Sequence, residues 1–216
     1  MPDVGISNDN TIIAKGQRAA IWGRAGVGKT TLGKWAMFRS PMQWVVLDTK
    51  YDDGFNGYRT ANKLPAMSKI GQVLRDEKLY VIRPTNAEIS DPRRLDSWLG
   101  EFHESWNNTG IFIDEGYQVC LGSNAGPGLT GLLTRGRQRG QSVIVGSQRP
   151  ARLPLFCFTE ANHYFIMQLS SRDDKKKIAD YTGRKEIVDK QIEPFHFLHF
   201  DVAKGKLTPY SPVRIT

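Results

Sequence analysis

Gly23-Arg24-Ala25-Gly26-Val27-Gly28-Lys29-Thr30 reads G-x-x-x-x-G-K-T, with Thr31 behind it. Before it, Arg18-Ala19-Ala20-Ile21-Trp22 is a short apolar run suited to a strand. After it, Leu32, Trp35 and Ala36 fall at helical spacing until Pro41 stops the helix. Strand, glycine loop and helix form the context in which this pattern binds phosphate. Glycines let backbone N–H groups close on the phosphate oxygens, and the helix N-terminus adds positive potential. Lys29 then reaches the β- and γ-phosphates, and the Thr30 hydroxyl ligates Mg2+. Gly23, Arg24, Ala25, Gly26, Val27, Gly28, Lys29, Thr30 and Thr31 are thus the expected nucleotide-binding residues. A glycine turn that binds nothing is the competing explanation, but the pattern arises by chance at this length on the order of once in a hundred.

Working outward, further apolar runs end in polar residues. Trp44 to Asp48 is a buried strand followed by the polar loop Thr49-Lys50-Tyr51-Asp52-Asp53-Gly54. In open α/β sheets, that end of a strand is where ligands bind. Leu79 to Ile82 reads as another strand, and residues 55–78 as loop plus a short helix. Asp91-Pro92 opens a helix running through Trp98 and Phe102. Ile111-Phe112-Ile113-Asp114-Glu115 is a buried strand ending in two carboxylates. Asp114 is the expected holder of Mg2+ and Glu115 the group that orients and deprotonates water, which makes the reaction hydrolysis.

Gly122 to Gly128 reads as a glycine-rich loop and Leu129 to Gln138 as a helix. Ser142 to Gln148 is a strand whose closing amide can sense a γ-phosphate or position water. Between Glu115 and Glu160 there is no acidic residue, yet Arg135, Arg137, Arg139, Arg149 and Arg152 all fall there. Most read as a solvated basic face; one at the edge of the core suits an arginine finger given to a neighbouring subunit. His163 to Leu169 is a further strand, and Arg172 to Tyr181 a helix closed by Gly183. Phe195 to Phe200 and Lys206 to Val213 read as a terminal hairpin within 195–216. Residues 1–16 are a polar extension with one small strand at Thr11 to Ala14. Alternating strands and helices predict an α/β fold with a mostly parallel sheet covered on both faces.

At 216 residues this is one domain with a sizeable core. A net charge of +8 points to a polyanionic partner. Cys120 and Cys157 are widely spaced and form no zinc or disulfide pattern, which fits a reducing, intracellular setting. No apolar run is long enough to span a bilayer and the N-terminus shows no signal pattern, so a soluble chain is expected. His196 and His199 lie three apart on a strand, on opposite faces, and do not read as metal ligands. Lys175, Lys176 and Lys177 follow Asp173 and Asp174, as at a solvated helix start. Arg93, Arg94, Lys63, Lys69 and the Gly122–Gly128 loop are all open candidates for contact with such a polyanion.

The stretch Arg137-Gln138-Arg139-Gly140, then the strand, then Ser147-Gln148-Arg149-Pro150 resembles the FtsK–HerA superfamily of DNA-pumping ATPases, where R-x-x-G, an apolar strand and T/S-Q-R-P recur. The likeness continues through Ala161-Asn162, the strand Tyr164 to Gln168, Ser170-Ser171-Arg172-Asp173 and Tyr181-Thr182-Gly183, and covers most of residues 17–183. It implies a RecA-like fold, ATP and Mg2+ as cofactors, Gln148 as sensor amide, and Arg137 as trans-acting finger with Arg135 and Arg139 as competitors. Asp48 resembles the acidic residue after the second strand of these motors. Size narrows the resemblance to the small genome-packaging ATPases of icosahedral, often membrane-containing, double-jelly-roll viruses. That implies a homo-hexameric or other ring on double-stranded DNA, capsid or viral membrane proteins as partners, and a place at the virion packaging vertex or in host cytoplasm. A cellular or plasmid-borne motor and a non-pumping ATP-dependent switch are the alternative readings.

Overall fold

The apolar runs around Ile21, Val45, Ile111 and Ile144 become the centre of a nine-stranded sheet in the computed structural model, which describes residues 12–214. In chain order the first half comprises β1 (Arg18–Trp22), α1 (Lys29–Phe38), β2 (Gln43–Leu47), β3 (Thr60–Ala61), α2 (Met67–Leu74), β4 (Leu79–Ile82), α3 (Asn86–Ile89), α4 (Pro92–Ser105) and β5 (Thr109–Ile113). There follow β6 (Cys120–Leu121), β7 (Asn124–Ala125), α5 (Pro127–Arg135), β8 (Ser142–Ser147), α6 (Phe156–Thr159), β9 (His163–Ile166), α7 (Arg172–Thr182), β10 (Phe197–Asp201) and β11 (Lys206–Tyr210). The sheet order is β11-β10-β9-β1-β8-β5-β2-β4-β3. From β9 to β3 every pairing is parallel, and β10 and β11 add an antiparallel hairpin at one edge.

Strand side chains alternate between two cores, as a period of two requires. Ala20, Trp22, Val45, Leu47, Ile111, Ile113, Val143 and Val145 face α2, α4, α5, α6 and α7. Ala19, Ile21, Trp44, Val46, Phe112 and Ile144 face α1 and Phe55. Both faces are covered, which is why the central strands are almost wholly apolar. Trp22, Trp44 and Trp98 are packing residues: Trp22 sits against Phe158 and Tyr164, and the Trp98 indole donates to the Pro65 carbonyl. Trp44 lies so close over β5 that a Cβ on Gly110 would stand 2.4 Å from its ring.

Several boundaries differ from the sequence expectation, each for a local reason. Residues 120–125 form a small hairpin, β6–β7, and Pro127 opens α5, so the expected Gly122–Gly128 loop is split between them; Asp96 on α4 caps the first turn of α5 by accepting from the N–H groups of Gly128 and Leu129. The α5 helix stops at Arg135, since residues 136–139 tighten into a 3-10 turn that Gly140 closes at φ 66°. β9 ends at Ile166 because the Gln168 carbonyl turns to accept from Arg24 N. The hairpin strand begins at Phe197 rather than Phe195, which adopts a left-handed φ of 65°. The short elements β3, α3 and α6 have no counterpart in the sequence reading. Of the strand expected at Thr11 to Ala14, Thr11 lies outside the described residues, as do residues 1–10; residues 12–14 form no strand, although Ile13 is fully buried.

His199 on β10 stacks on Phe165 with ring centroids 4.7 Å apart, and its Nε2 lies 3.2 Å from His163 Nδ1. Burial pushes the His199 pKa down to about 4, and the neighbouring His163 adds to the shift. Among the described residues no cluster with metal-holding geometry includes these histidines. Since the unfolded chain protonates His199 near pH 6.5 and the folded chain only near 4, the unfolded state binds more protons in that window. Stability should fall as pH drops from about 6.5 towards 4. Urea unfolding across that range should show the slope, and His199→Gln should flatten it.

Candidate active site

Parallel pairing brings the C-terminal ends of β1, β8, β5 and β2 to one edge of the sheet. Trp22 is level with Ser147, Ile113 with Val145, and Leu47 with Ile113. β8 therefore separates the phosphate-loop strand from the strand that carries the acid pair. The loops are tied across the edge: Gly23 N donates to Ser147 O (3.1 Å) and Asp114 N to Leu47 O (3.1 Å). They surround a cleft of about 390 Å³ whose lining includes Gly26, Gly28, Lys29, Thr30, Asp114 and Gln148.

The phosphate loop has the conformation that its glycines allow. Gly28 has φ 97°, a left-handed value costly for any other residue, and starts α1 without a side-chain cap. The first N–H groups of a ten-residue helix thus remain for an anion. Lys29 is buried, and its Nζ donates to the Arg24 carbonyl at 2.9 Å, folding the ammonium over the loop. Burial lowers its pKa to about 8, and the charge of Lys50 adds to this. Val27 is buried beneath the loop, while Arg24, Ala25, Gly26 and Thr31 are exposed; Arg24 Nε donates to Gln168 Oε1 (2.9 Å).

Thr30 Oγ1 donates to Asp52 Oδ2 at 2.7 Å. Asp114 is 2% exposed, and its Oδ2 has no hydrogen-bond partner among the described residues. Burial raises its pKa to about 6, against the lowering effect of Lys50, whose Nζ lies 3.8 Å away. A buried carboxylate oxygen without a hydrogen bond and a threonine hydroxyl lining one cleft are hard oxygen donors of the kind Mg2+ takes. The residues present therefore fit that ion. Glu115 is held on both oxygens: Ser147 Oγ donates to Oε1 (2.7 Å), and Lys50 Nζ pairs with Oε2 (2.8 Å). Gln148 N approaches the same Oε2 at 3.4 Å, and the Gln148 residue lines the cleft.

Arg137 stands elsewhere. It is exposed in the turn before β8, packed on Gly16, at the opposite end of the sheet from the phosphate loop. Its competitors separate by their contacts. Arg139 donates to the carbonyls of Glu104 and Trp106 at the end of α4, and Arg149 pairs with buried Asp174 (3.3 Å). Arg152 lies over the Tyr117 ring (5.8 Å). Arg135 and Arg137 have no ion-pair partner among the described residues. Lys177 donates to the carbonyls of Ala151 and Leu153, a structural contact.

Residues without a naming motif complete the cleft. Lys50 and Asp52 come from the polar loop after β2, and Phe195 lies against Gly28. Asp48 does not face the cleft chemistry: it is fully buried, paired with Arg83 Nε (2.8 Å), and accepts from the backbone of Lys50 and Asp52. The loop's position at a strand end was the available signal; which of its side chains turn inward was not.

Glu115→Gln should retain ATP binding and lose hydrolysis by about 10²–10⁴-fold, since the amide keeps the size and removes the base. Lys29→Ala should weaken nucleotide binding itself. Equilibrium binding and phosphate release, measured on both variants, check the pair; wild-type turnover by Glu115→Gln would assign the base elsewhere.

No family model matches the chain. Among curated proteins, the DNA packaging ATPase P9 of Enterobacteria phage PRD1 is 26% identical over 210 residues, 91% of this chain and 87% of that protein. Among solved structures, the genome packaging NTPase B204 of Sulfolobus turreted icosahedral virus 2, in complex with ATP-gammaS, superposes with a TM-score of 0.70 at 18% identity, covering 92% of this chain and 98% of that one. The pCW3 conjugation coupling protein TcpA, with ATPgS, gives a TM-score of 0.58 at 13% identity, over 91% of this chain and 60% of that one. The chain is thus similar to P9 across nearly its whole length, and it shares its fold with the packaging NTPase B204 and, less closely, with TcpA.

Proposed function

We propose that this chain hydrolyses ATP to drive double-stranded DNA into a viral capsid, working in a ring of identical chains. The observation that carries the reading is the convergence of Lys29, Thr30, Asp114 and Gln148 on one cleft with Glu115 beside them. The packaging names of P9 and B204 support the biological setting. A charge of +8 and the absence of a base-reading motif support contact with DNA through its phosphates. Among the described residues no helix is long and apolar enough to cross a membrane.

In this mechanism the loop N–H groups and Lys29 bind and orient the triphosphate. Thr30 and Asp114 would hold Mg2+, which neutralises charge on the β- and γ-oxygens. Asp52, now accepting from the Thr30 hydroxyl, orients that ligand. Glu115, fixed by Ser147, takes a proton from water; the water oxygen bonds to the γ-phosphorus as the bond to the β–γ bridging oxygen breaks. ADP leaves with the electron pair, and inorganic phosphate is the second product. Gln148 places its amide at the γ-position.

Arg137 lies at the far end of the sheet and cannot reach its own phosphate loop, which suits service to a neighbour's nucleotide. Such an arginine stabilises transition-state charge and contributes roughly 10³–10⁵ in rate.

The direct test is the ATPase rate with and without double-stranded DNA. Duplexes of unrelated sequence should stimulate it equally, and binding should weaken steeply with salt; no stimulation by any duplex would leave only a DNA-independent ATPase. For the shared site, an Arg137→Ala chain mixed with a Lys29→Ala chain should regain part of the activity that each lacks alone. No recovery in mixtures shown to co-assemble would shift the role to Arg135, tested the same way.

A further inference from the structure

The loop after β2 is built to deliver one ammonium. Asp48, fully buried, is clamped by Arg83 through its Oδ2 and uses its Oδ1 to accept from the backbone N–H groups of Lys50 (3.3 Å) and Asp52 (3.1 Å). Between them Tyr51 takes a left-handed φ of 57°, and its hydroxyl is anchored on the Pro84 carbonyl. A bulky residue at that φ is strained and persists only where its surroundings enforce it. This scaffold turns Lys50 into the cleft, with its Nζ 2.8 Å from Glu115 Oε2 and 3.8 Å from Asp114 Oδ2.

That position blocks the chemistry assigned to Glu115. One carboxylate oxygen already accepts from Ser147, and the other is taken by Lys50. An oxygen hydrogen-bonded to an ammonium, with its charge compensated, is a poor acceptor for a proton from water. Something must draw Lys50 away. The γ-phosphate is the group that does so: it arrives with the triphosphate, carries negative charge, and the four-carbon stem of lysine lets the ammonium swing towards it. ADP has no such group.

We infer that Lys50 is a positioning residue that distinguishes ATP from ADP, holding Glu115 in an engaged state until the γ-phosphate takes the ammonium over. The inference rests on reading the cleft as the ATP site with Glu115 as base. It makes water activation conditional on a complete triphosphate.

The test is the affinity of wild-type, Lys50→Met and Lys50→Arg chains for ATPγS and for ADP, each with Mg2+, by calorimetry. Lys50→Met should lose about tenfold or more in ATPγS affinity, as expected for a charged hydrogen bond, with ADP affinity held within about twofold. Lys50→Arg should keep most of the preference for ATPγS. Crystal structures of the wild type should show Lys50 on Glu115 with ADP and on a γ-oxygen with ATPγS. Equal losses for both nucleotides, or unchanged affinity for both, would overturn the inference, as would Lys50 still paired with Glu115 beside bound ATPγS. If the wild-type chain bound neither nucleotide, the ATP-site reading would fall first and this with it; nucleotide binding that is normal but indifferent to Lys50 sinks only the inference.

Discussion

The insertion of β8 between β1 and β5 is the constraint on which the site depends. Because β8 pairs in parallel with both, its last residues are held level with the phosphate loop on one side and the acid pair on the other. Ser147 serves both neighbours: its carbonyl accepts from Gly23, and its hydroxyl holds Glu115. Were β1 and β5 adjacent, Glu115 would lie one strand spacing, roughly 4.8 Å, closer to the loop, and no strand end would stand between them to carry Gln148. Gly146 belongs to the same constraint, since a Cβ there would stand 2.6 Å from the Asp114 carbonyl.

Charge at the cleft is shared between loops, with Lys50 after β2 pairing with Asp114 and Glu115 after β5. Lys29 and Lys50 stand among Asp52, Asp114 and Glu115, and no pair belongs to a single element. The buried lysine is lowered towards neutrality and the buried aspartate raised towards it, both chiefly by desolvation. A charged ligand that brings its own counter-ions is the natural complement to such a site, because it restores charge compensation without further burial cost.

What the sequence disclosed and what it withheld divide along a physical line. The phosphate loop, the acid-ended strand and the amide-ended strand are local patterns, in which chemistry and strand period lie within a few residues of each other. The roles of Lys50 and Asp52 arise from a long-range tie, Asp48 to Arg83, that no spacing marks. Asp48, an acidic residue at the right strand end, is turned by that tie into scaffold. Phe195 read as the start of an apolar strand, whereas a left-handed turn sets it against Gly28. The β6–β7 hairpin was hidden because two-residue strands among Gly, Ser and Asn lack alternation to read. Exposure alone does not choose among the candidates for contact with a polyanion, since Lys63, Lys69, Arg93 and Arg94 are all exposed.

The two ends of β8 carry a mechanical consequence. At one end stands Gln148, beside the cleft; at the other is the turn bearing Arg137, facing outward. The strand between them is buried along its length, paired on both sides, and has no slack to absorb a push. A displacement along its axis at the nucleotide edge would be carried towards the opposite rim, like motion through a rod. If Arg137 is set against a neighbour's nucleotide in a ring, as proposed above, the state of one cleft would bear on the rate of the next, and successive firing would need no separate messenger.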